Sequence, residues 1–234
     1  LKNGDTIIIE STCPVGTTQK IKNKINKFYK DKLIYRLAYC PERVLPGNIL
    51  HEIIHNDKIV GGIDDKSTNY VKKFFSKIIK GNIHKTNSQT AELCKLVENS
   101  FRDLNIAFAN QISMLCSNNN IDYLHLINLA NQHKRVNILS PSIGVGGHCI
   151  PVDPVFLVDL DKKNSSLISL SRSINIKKTN WIYSKIINEL DALIQKNKNN
   201  YKILCLGLSY KSNVGDIRES PALKIFKKLK KDKR

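Results

Sequence analysis

The chain lacks any apolar run near the ~18 residues that a membrane-spanning helix needs. Its first apolar run, Thr6-Ile7-Ile8-Ile9, is too short for the core of a secretion signal. No two of its six cysteines form a C-x-x-C pair; at positions 13, 40, 94, 116, 149 and 205 they follow no regular spacing. Without a signal or a framework they read as reduced thiols. The expectation is a soluble, cytoplasmic protein with no membrane partner. Internal repeats and low-complexity linkers are absent as well.

Of the 234 residues, 41% are hydrophobic and 25% charged, enough apolar material for a packed core and too much for a disordered chain. The charge balance is strongly basic, +18 at neutral pH, which invites a nucleic-acid or membrane-surface reading. The lysines are, however, dispersed along the whole chain among many Asn and Ile residues. The densest run, Lys224 to Arg234, has Leu223, Phe226 and Leu229 at helical spacing, so it reads as an amphipathic helix with a solvated basic face. A polyanion-binding scaffold therefore rests on charge alone, and no nucleic-acid partner is expected.

Thr6 to Glu10 reads as a short β-branched strand, followed by a turn over Ser11 to Gly16 and a helix that Thr17 or Thr18 could cap. Lys32 to Tyr39 is a second strand, and Ile59-Val60 begins a third that Gly61-Gly62 ends. A helix carrying Val71, Phe74, Phe75, Ile78 and Ile79 follows. Strands alternating with helices argue for a parallel sheet covered on both faces. Near residue 88 the character changes. Thr90 to Cys116 is helical without Gly or Pro, its apolar stripe made by Leu93, Leu96, Val97, Phe101, Leu104, Phe108 and Ile112. Asn118 to Asn120 breaks it, Tyr123 to Asn131 resumes a helix, and Ser140 to Pro154 is a loop rich in Gly and Pro. A second long helix spans about Ser166 to Ile194. After a polar linker, Asn197 to Asn200, Tyr201 to Leu206 reads as a strand, and Ser220-Pro221 as the N-cap and first residue of a helix. This last strand–helix unit cannot bury its own faces, so the chain reads as a fragment, inactive alone and exposing apolar sheet faces.

Two segments carry chemistry. In Gly144-Val145-Gly146-Gly147-His148-Cys149 the glycines let backbone approach a ligand closely, and a cysteine stands at the end of the turn with Asp153 four residues on. A thiol there is a candidate nucleophile; the plainer reading is a buried cysteine in a turn. On the long helix, Lys95, Asn99 and Arg102 share a face beside the apolar stripe; the plainer reading is a solvated polar face.

Together these segments resemble the UDP-glucose/GDP-mannose dehydrogenase family over essentially the whole chain. Five blocks match in order: Ser11 to Gly16, Pro41 to Gly47, Lys95 to Ala109, Gly144 to Pro154, and Leu208 to Pro221. Within the family, Glu42 to Gly47, Asn99 to Asp103 and Arg135 to Leu139 look like the branch that acts on UDP-N-acetyl-D-mannosamine. The resemblance implies an α/β fold: part of a Rossmann-like NAD domain over residues 1–87, a central all-helical dimerisation domain over 88–197, and the start of a second Rossmann-like, UDP-binding domain over 198–234. It implies NAD-dependent oxidation of the sugar C6 alcohol to a carboxylate. Cys149 would be the nucleophile, passing through a thiohemiacetal to a thioester. Lys95 and Asn99 would stabilise the oxyanion, Lys95 relaying a proton as well, and Asp153 would position the thiol or the hydrolytic water. Arg43, Val44, Arg102, His133, Arg135, Gly146 and Lys211 match substrate-contact positions, and Thr12 and Arg218 match cofactor contacts. A homodimer through the long central helix is implied too.

Departures from the pattern bear on the substrate and the cofactor. UDP-glucose dehydrogenases carry a glutamate where this chain has Pro46, which weighs against UDP-glucose and leaves the hydrolytic base open; UDP-N-acetylglucosamine stays an alternative. The G-x-G-x-x-G fingerprint that grips a pyrophosphate is not in the sequence. A competing motif, His51-Glu52-Ile53-Ile54-His55, fits the H-E-x-x-H of zinc hydrolases. It has no downstream Gly-x-x-His extension and adjoins a matched block, so no metal is expected.

Overall fold

The computed structural model describes residues 1–44, 48–197, 202–213 and 215–232. Pro46, residues 198–201 of the expected linker and strand, and Arg234 of the basic run lie outside them. The chain divides into two compact units, Leu1–Glu98 and Asn99–Arg234.

The first unit is built on a four-stranded sheet in the order β1-β2-β3-β4: Thr6–Ile9, Arg36–Tyr39, Lys58–Gly62 and Ile83–Asn87. Helices α1 (Thr17–Tyr29), α2 (Ile49–His55), α3 (Asp65–Phe75) and the opening of α4 (Ser88–Asn118) alternate with them. Strand residues alternate between two apolar layers. Ala38 and Val60 pack with Cys40, Val71, Ile8, Phe75 and Ile83 on one face. Tyr39 and Ile59 pack with Cys13, Ala91 and Ile9 on the other. Burial on both faces matches the expected covered sheet.

The sheet is not all parallel. β1 and β2 are parallel, as are β3 and β4, but β2 and β3 run antiparallel with Ala38 opposite Gly62 and Tyr39 opposite Gly61. Strand–helix alternation reports layers rather than direction. α2 buries none of its residues, so it is not the packed crossover that a parallel step requires. Gly61 and Gly62 belong to β3 instead of ending it, and a Cβ on Gly61 would come within 2.5 Å of the Asn87 carbonyl oxygen and 2.6 Å of the Ala91 methyl. Strand β4 and helix α2 were not expected. α3 stops at Phe75, leaving Ile78 and Ile79 in the turn beyond, where Ile79 is buried. Neither Thr17 nor Thr18 caps α1; Gly16 does, at φ 88°, with no side-chain bond of its own.

The second unit is helical: the rest of α4, then α5 (Tyr123–Ala130), α6 (Asp153–Leu160), α7 (Ser166–Asn197) and α8 (Pro221–Lys231). The Asp122 carboxylate caps α5 and the Ser220 hydroxyl caps α8, with Pro221 at its start as expected. The glycine-rich loop ends at Val152, because Asp153 and Pro154 form the first turn of α6, a helix not expected. Residues 202–207 form no strand; Leu204 is 80% exposed and Leu206 87%. A strand exists through its neighbours' hydrogen bonds, and among the described residues none pairs with this segment. The expected apolar stripe of α4 is covered only in part: Leu96 is fully buried and Leu104 and Ile112 half-buried, but Leu93, Val97, Phe101 and Phe108 are exposed, while Ser100, Asp103, Asn110 and Ser113 are buried. Among the described residues no helix is long and apolar enough to cross a membrane.

Candidate active site

Cys149 stands directly before α6, and its carbonyl oxygen accepts the N–H groups of Val152 (3.0 Å) and Asp153 (2.9 Å). These bonds wind the chain from the loop into the helix and fix Asp153 as its first residue. Asp153 is 3% exposed, and its Oδ2 accepts the Asn99 side-chain amide at 2.5 Å. Two residues 54 apart in sequence, both expected at the site, are thus joined next to the cysteine.

The glycine loop before Cys149 is clasped by residues 210–221. The Gly147 N–H donates to the Arg218 carbonyl oxygen at 2.9 Å. A Cβ on Gly146 would lie 2.6 Å from Tyr210 Cβ and 2.9 Å from Pro221 Cδ. At Gly147, φ 92°, it would lie 3.1 Å from the Tyr210 ring. Only glycine lets the loop seat this closely. Arg218 is exposed but held by Asp216: Nε lies 3.0 Å from both carboxylate oxygens and Nη2 2.6 Å from Oδ2. That guanidinium draws the Asp216 carboxyl down to about 2. The Arg218 pKa is raised, chiefly by its hydrogen bond to Asp216. His148 Nδ1 is 3.9 Å from Asp216 Oδ2. The second unit therefore assembles Cys149, Asn99, Asp153, Gly146 and Arg218. Arg102, His133, Arg135 and Lys211 are exposed, and among the described residues none is hydrogen-bonded to the cysteine loop; His133 Nδ1 instead accepts the Arg135 N–H at 3.3 Å.

Lys95, half-buried, lies on α4 in the first unit, as do Thr12 and Val44 in loops. Arg43 is engaged by Glu98 (Nη2 to Oε1 2.8 Å, Nε to Oε2 3.3 Å) and donates to the Asp57 carbonyl oxygen at 3.2 Å. Its neighbour Glu42 shares the buried Lys58 ammonium with Glu10, at 3.2 and 3.1 Å. Burial pushes the Cys40 thiol beside this group up to about 12, marking it as unreactive.

Residue reasoning missed Glu92. Fully buried, it accepts the Gly16 N–H at 2.5 Å and both the N–H and the hydroxyl of Thr18 at 2.7 Å. It fills the N-terminus of α1 and ties the turn that carries Thr12 to α4. Missed too was the buried polar set of Asp103, Asn110 and Asn175. Their only signal is polar residues recurring at helical spacing, which sequence cannot tell from a solvated face.

The His51 and His55 rings stack 4.2 Å apart on α2, and His55 Nδ1 lies 2.9 Å from the His51 carbonyl oxygen. Among the described residues no three His, Cys, Asp or Glu groups could hold a metal, so a zinc reading finds no third ligand there.

Comparison with known proteins places the chain in a family. Residues 1–79 match the NAD binding domain of the UDP-glucose/GDP-mannose dehydrogenase family, residues 89–177 its central domain, and residues 204–234 its UDP binding domain. The chain belongs to this family. A UDP-N-acetyl-D-mannosamine dehydrogenase of Campylobacter jejuni is 43% identical over 238 aligned residues, covering 98% of this chain and 57% of the relative. One of Methanocaldococcus jannaschii is 46% identical over 229, covering 98% of this chain and 51% of its own length. The solved UDP-D-ManNAc dehydrogenase of Pyrococcus horikoshii superposes with a TM-score of 0.89 at 37% identity, covering 98% of this chain and 55% of that one. The chain thus spans a little over half the length of these relatives.

Proposed function

We propose that the protein to which this chain contributes oxidises the C6 alcohol of UDP-N-acetyl-D-mannosamine to the carboxylate. The observation that carries the reading is the placement of Cys149 between the Asn99–Asp153 pair and the Arg218 clasp. The names of the relatives supply the substrate. Cys149 Sγ adds to the C6 aldehyde, giving a thiohemiacetal and then a thioester that water opens. A covalent hold keeps the aldehyde from leaving between two oxidations. The Asn99 amide, aimed by Asp153, faces the oxyanion together with Lys95, which also relays the alcohol proton. Arg43, Val44, Arg102, His133, Arg135, Gly146 and Lys211 contact the UDP-sugar; the fixed cations suit its diphosphate.

NAD, when bound, accepts the hydrides. Thr12 fits a contact to it, standing on the turn beyond β1 at the carboxyl end of a parallel strand pair, where open α/β sheets take nucleotides. Arg218 fits a second. The N-terminus of α1 does not fit the pyrophosphate, because the Glu92 carboxylate already holds its N–H groups.

We assign residues 1–87 to the NAD domain, 88–197 to the central domain and 198–234 to the UDP-binding domain, in a cytoplasmic homodimer formed on α4. The exposed row of Val97, Phe101, Phe108 and Leu115 supports the dimer. The test is NADH formed by the complete protein with UDP-N-acetylmannosamine, UDP-N-acetylglucosamine and UDP-glucose. Two NADH per UDP-N-acetylmannosamine, lost in Cys149→Ser, is expected. A Cys149→Ser protein that still yields carboxylate at the normal rate rules out the covalent route.

A further inference from the structure

We infer that Asn110 is a positioning residue: a one-way relay of side-chain amides, running from the buried Asp103 carboxylate through Asn175 and Asn110, holds the base of the cysteine loop at Ser142 and so sets where Cys149 stands. Its value for catalysis rests on the reading of Cys149 as nucleophile.

The direction of the relay follows from what each atom can do. Asp103 is fully buried on α4, and its carboxylate takes Arg172 Nη1 (2.5 Å) and the Ser171 hydroxyl (3.2 Å) from α7. Burial raises the Asp103 pKa, but the Arg172 guanidinium paired with it opposes that, and the oxygens facing Arg172, Ser171 and Asn175 act as acceptors. Asn175, 1% exposed, therefore turns its Nδ2 toward Asp103, donating to Oδ1 at 2.8 Å and to the Asp103 carbonyl oxygen at 3.1 Å. Its Oδ1 is left to accept, and takes the Asn110 Nδ2 at 2.9 Å. Asn110, also fully buried, is thereby turned so that its Oδ1 faces the loop, where it accepts the Ser142 N–H at 2.7 Å. Reversing either amide would set two donors or two acceptors face to face, away from water. The main chain of Asn110 is tied as well: its carbonyl oxygen accepts the Ser113 hydroxyl (2.7 Å), whose oxygen accepts the Lys178 ammonium (2.6 Å).

The loop is stiff from Ser142 onward. The Ser142 hydroxyl donates to the Gly144 carbonyl oxygen at 2.7 Å and accepts the Gly144 N–H at 3.3 Å. The Thr179 hydroxyl donates to the Ile143 carbonyl oxygen at 2.9 Å. A Cβ on Gly144, φ 133°, would sit 2.1 Å from that hydroxyl oxygen. The relay thus fixes one end of the loop, and the Gly147–Arg218 bond fixes it just before the cysteine.

Amide exchange and Cys149 alkylation by iodoacetamide, both resolved by mass spectrometry on the complete protein, test this. In the unaltered chain the Ser142 N–H should be protected; exchange at the rate of a free peptide overturns the relay without any variant having to fold. Asp103→Asn keeps the shape but lets the first amide point either way. Ser142 exchange should then quicken by about tenfold or more, the equivalent of one lost hydrogen bond, and Cys149 alkylation should change by more than about threefold. Arg172→Gln removes the ion pair and leaves the relay; it should lower the melting temperature with little change at Ser142 or Cys149. If Arg172→Gln moves Ser142 as far as Asp103→Asn does, general loosening explains the effect and the relay is wrong. If Ser142 responds and Cys149 does not, the loop base does not set the thiol. The role of Cys149 itself is judged separately, by Cys149→Ser in the turnover assay.

Discussion

Glu92 shows how much one side chain organises. Four polar groups from the turn after β1 and the first turn of α1 converge on it, the Cys13 sulfur being the most distant at 4.0 Å. A buried carboxylate that accepts several N–H groups can be replaced by an amide only at the expense of those bonds. Glu92→Gln should therefore destabilise the first unit by about 2–4 kcal/mol, or roughly 8–30 °C in melting temperature. Thermal unfolding followed by circular dichroism checks it, and a change of under a degree would mean that the turn is held by other groups. Lys178 is the opposite case. Its ammonium is buried on Ser113 and over the Trp181 ring at 4.3 Å, and burial draws its pKa down to about 8. The unfolded chain takes up this proton below about 10.5 and the folded chain only below about 8. Between these values the unfolded state binds more protons, so stability should rise with pH across that window. Lys178→Met should flatten the rise, which denaturant titrations at a series of pH values from 7.5 to about 10.5 would show. Both residues were out of reach of sequence reasoning, because a Glu or Lys on a helix gives no sign of being buried until its partners are placed. Cys149, Asp153 and Asn99 were reached through the family resemblance of the segments that carry them, and the structure joins two of those segments by the Asn99–Asp153 bond.

Among the elements, the long helices and the short β1 and α5 were read closely, but β4 and α6 were not. The 3.6-residue period marked α4 and α7 closely, and Ser220-Pro221 marked the start of α8. β4, with the exposed residues His84, Lys85 and Asn87, has no strand-like alternation; its pairing with β3 makes it a strand. α6 was hidden because two prolines and an aspartate read as loop, although Asp and Pro are also what a first helical turn favours. The exposure of Val97, Phe101 and Phe108 on α4 was illegible for a further reason: an apolar stripe announces that a face is covered, without saying by what. Phe101→Glu together with Phe108→Glu should convert the expected dimer of the complete protein to monomers, with helix content unchanged. Light scattering coupled to size exclusion measures this. A dimer that survives both charges would place the interface elsewhere.

For the whole molecule, the basic charge and the H-E-x-x-H motif are features that the proposed chemistry does not use. Chelation with EDTA should leave NADH formation by the complete protein unchanged, because His51 and His55 gain no third ligand among the described residues. A loss of activity restored by zinc would reopen the metal reading. Replacing Pro46 by Glu is expected to leave the two-NADH stoichiometry unaltered and to test whether a carboxylate there speeds thioester opening, read as the rate of product formation after a single turnover.

The two faces of α4 also differ in how they tolerate change. Its outer, greasy side could meet a partner in several neighbouring alignments, because one methyl group fits a hollow much as another does. Its inner side cannot slide. Asp103, Asn110 and Ser113 each find a matching donor or acceptor on α7 in one alignment only, so a shift by a single turn would break every bond at once. The helix works like a notched key with a smooth back. In a library of variants, the tolerant positions of α4 should be its exposed apolar ones, Val97, Phe101 and Phe108, and the intolerant ones the buried Leu96 together with the buried amides, hydroxyls and aspartate.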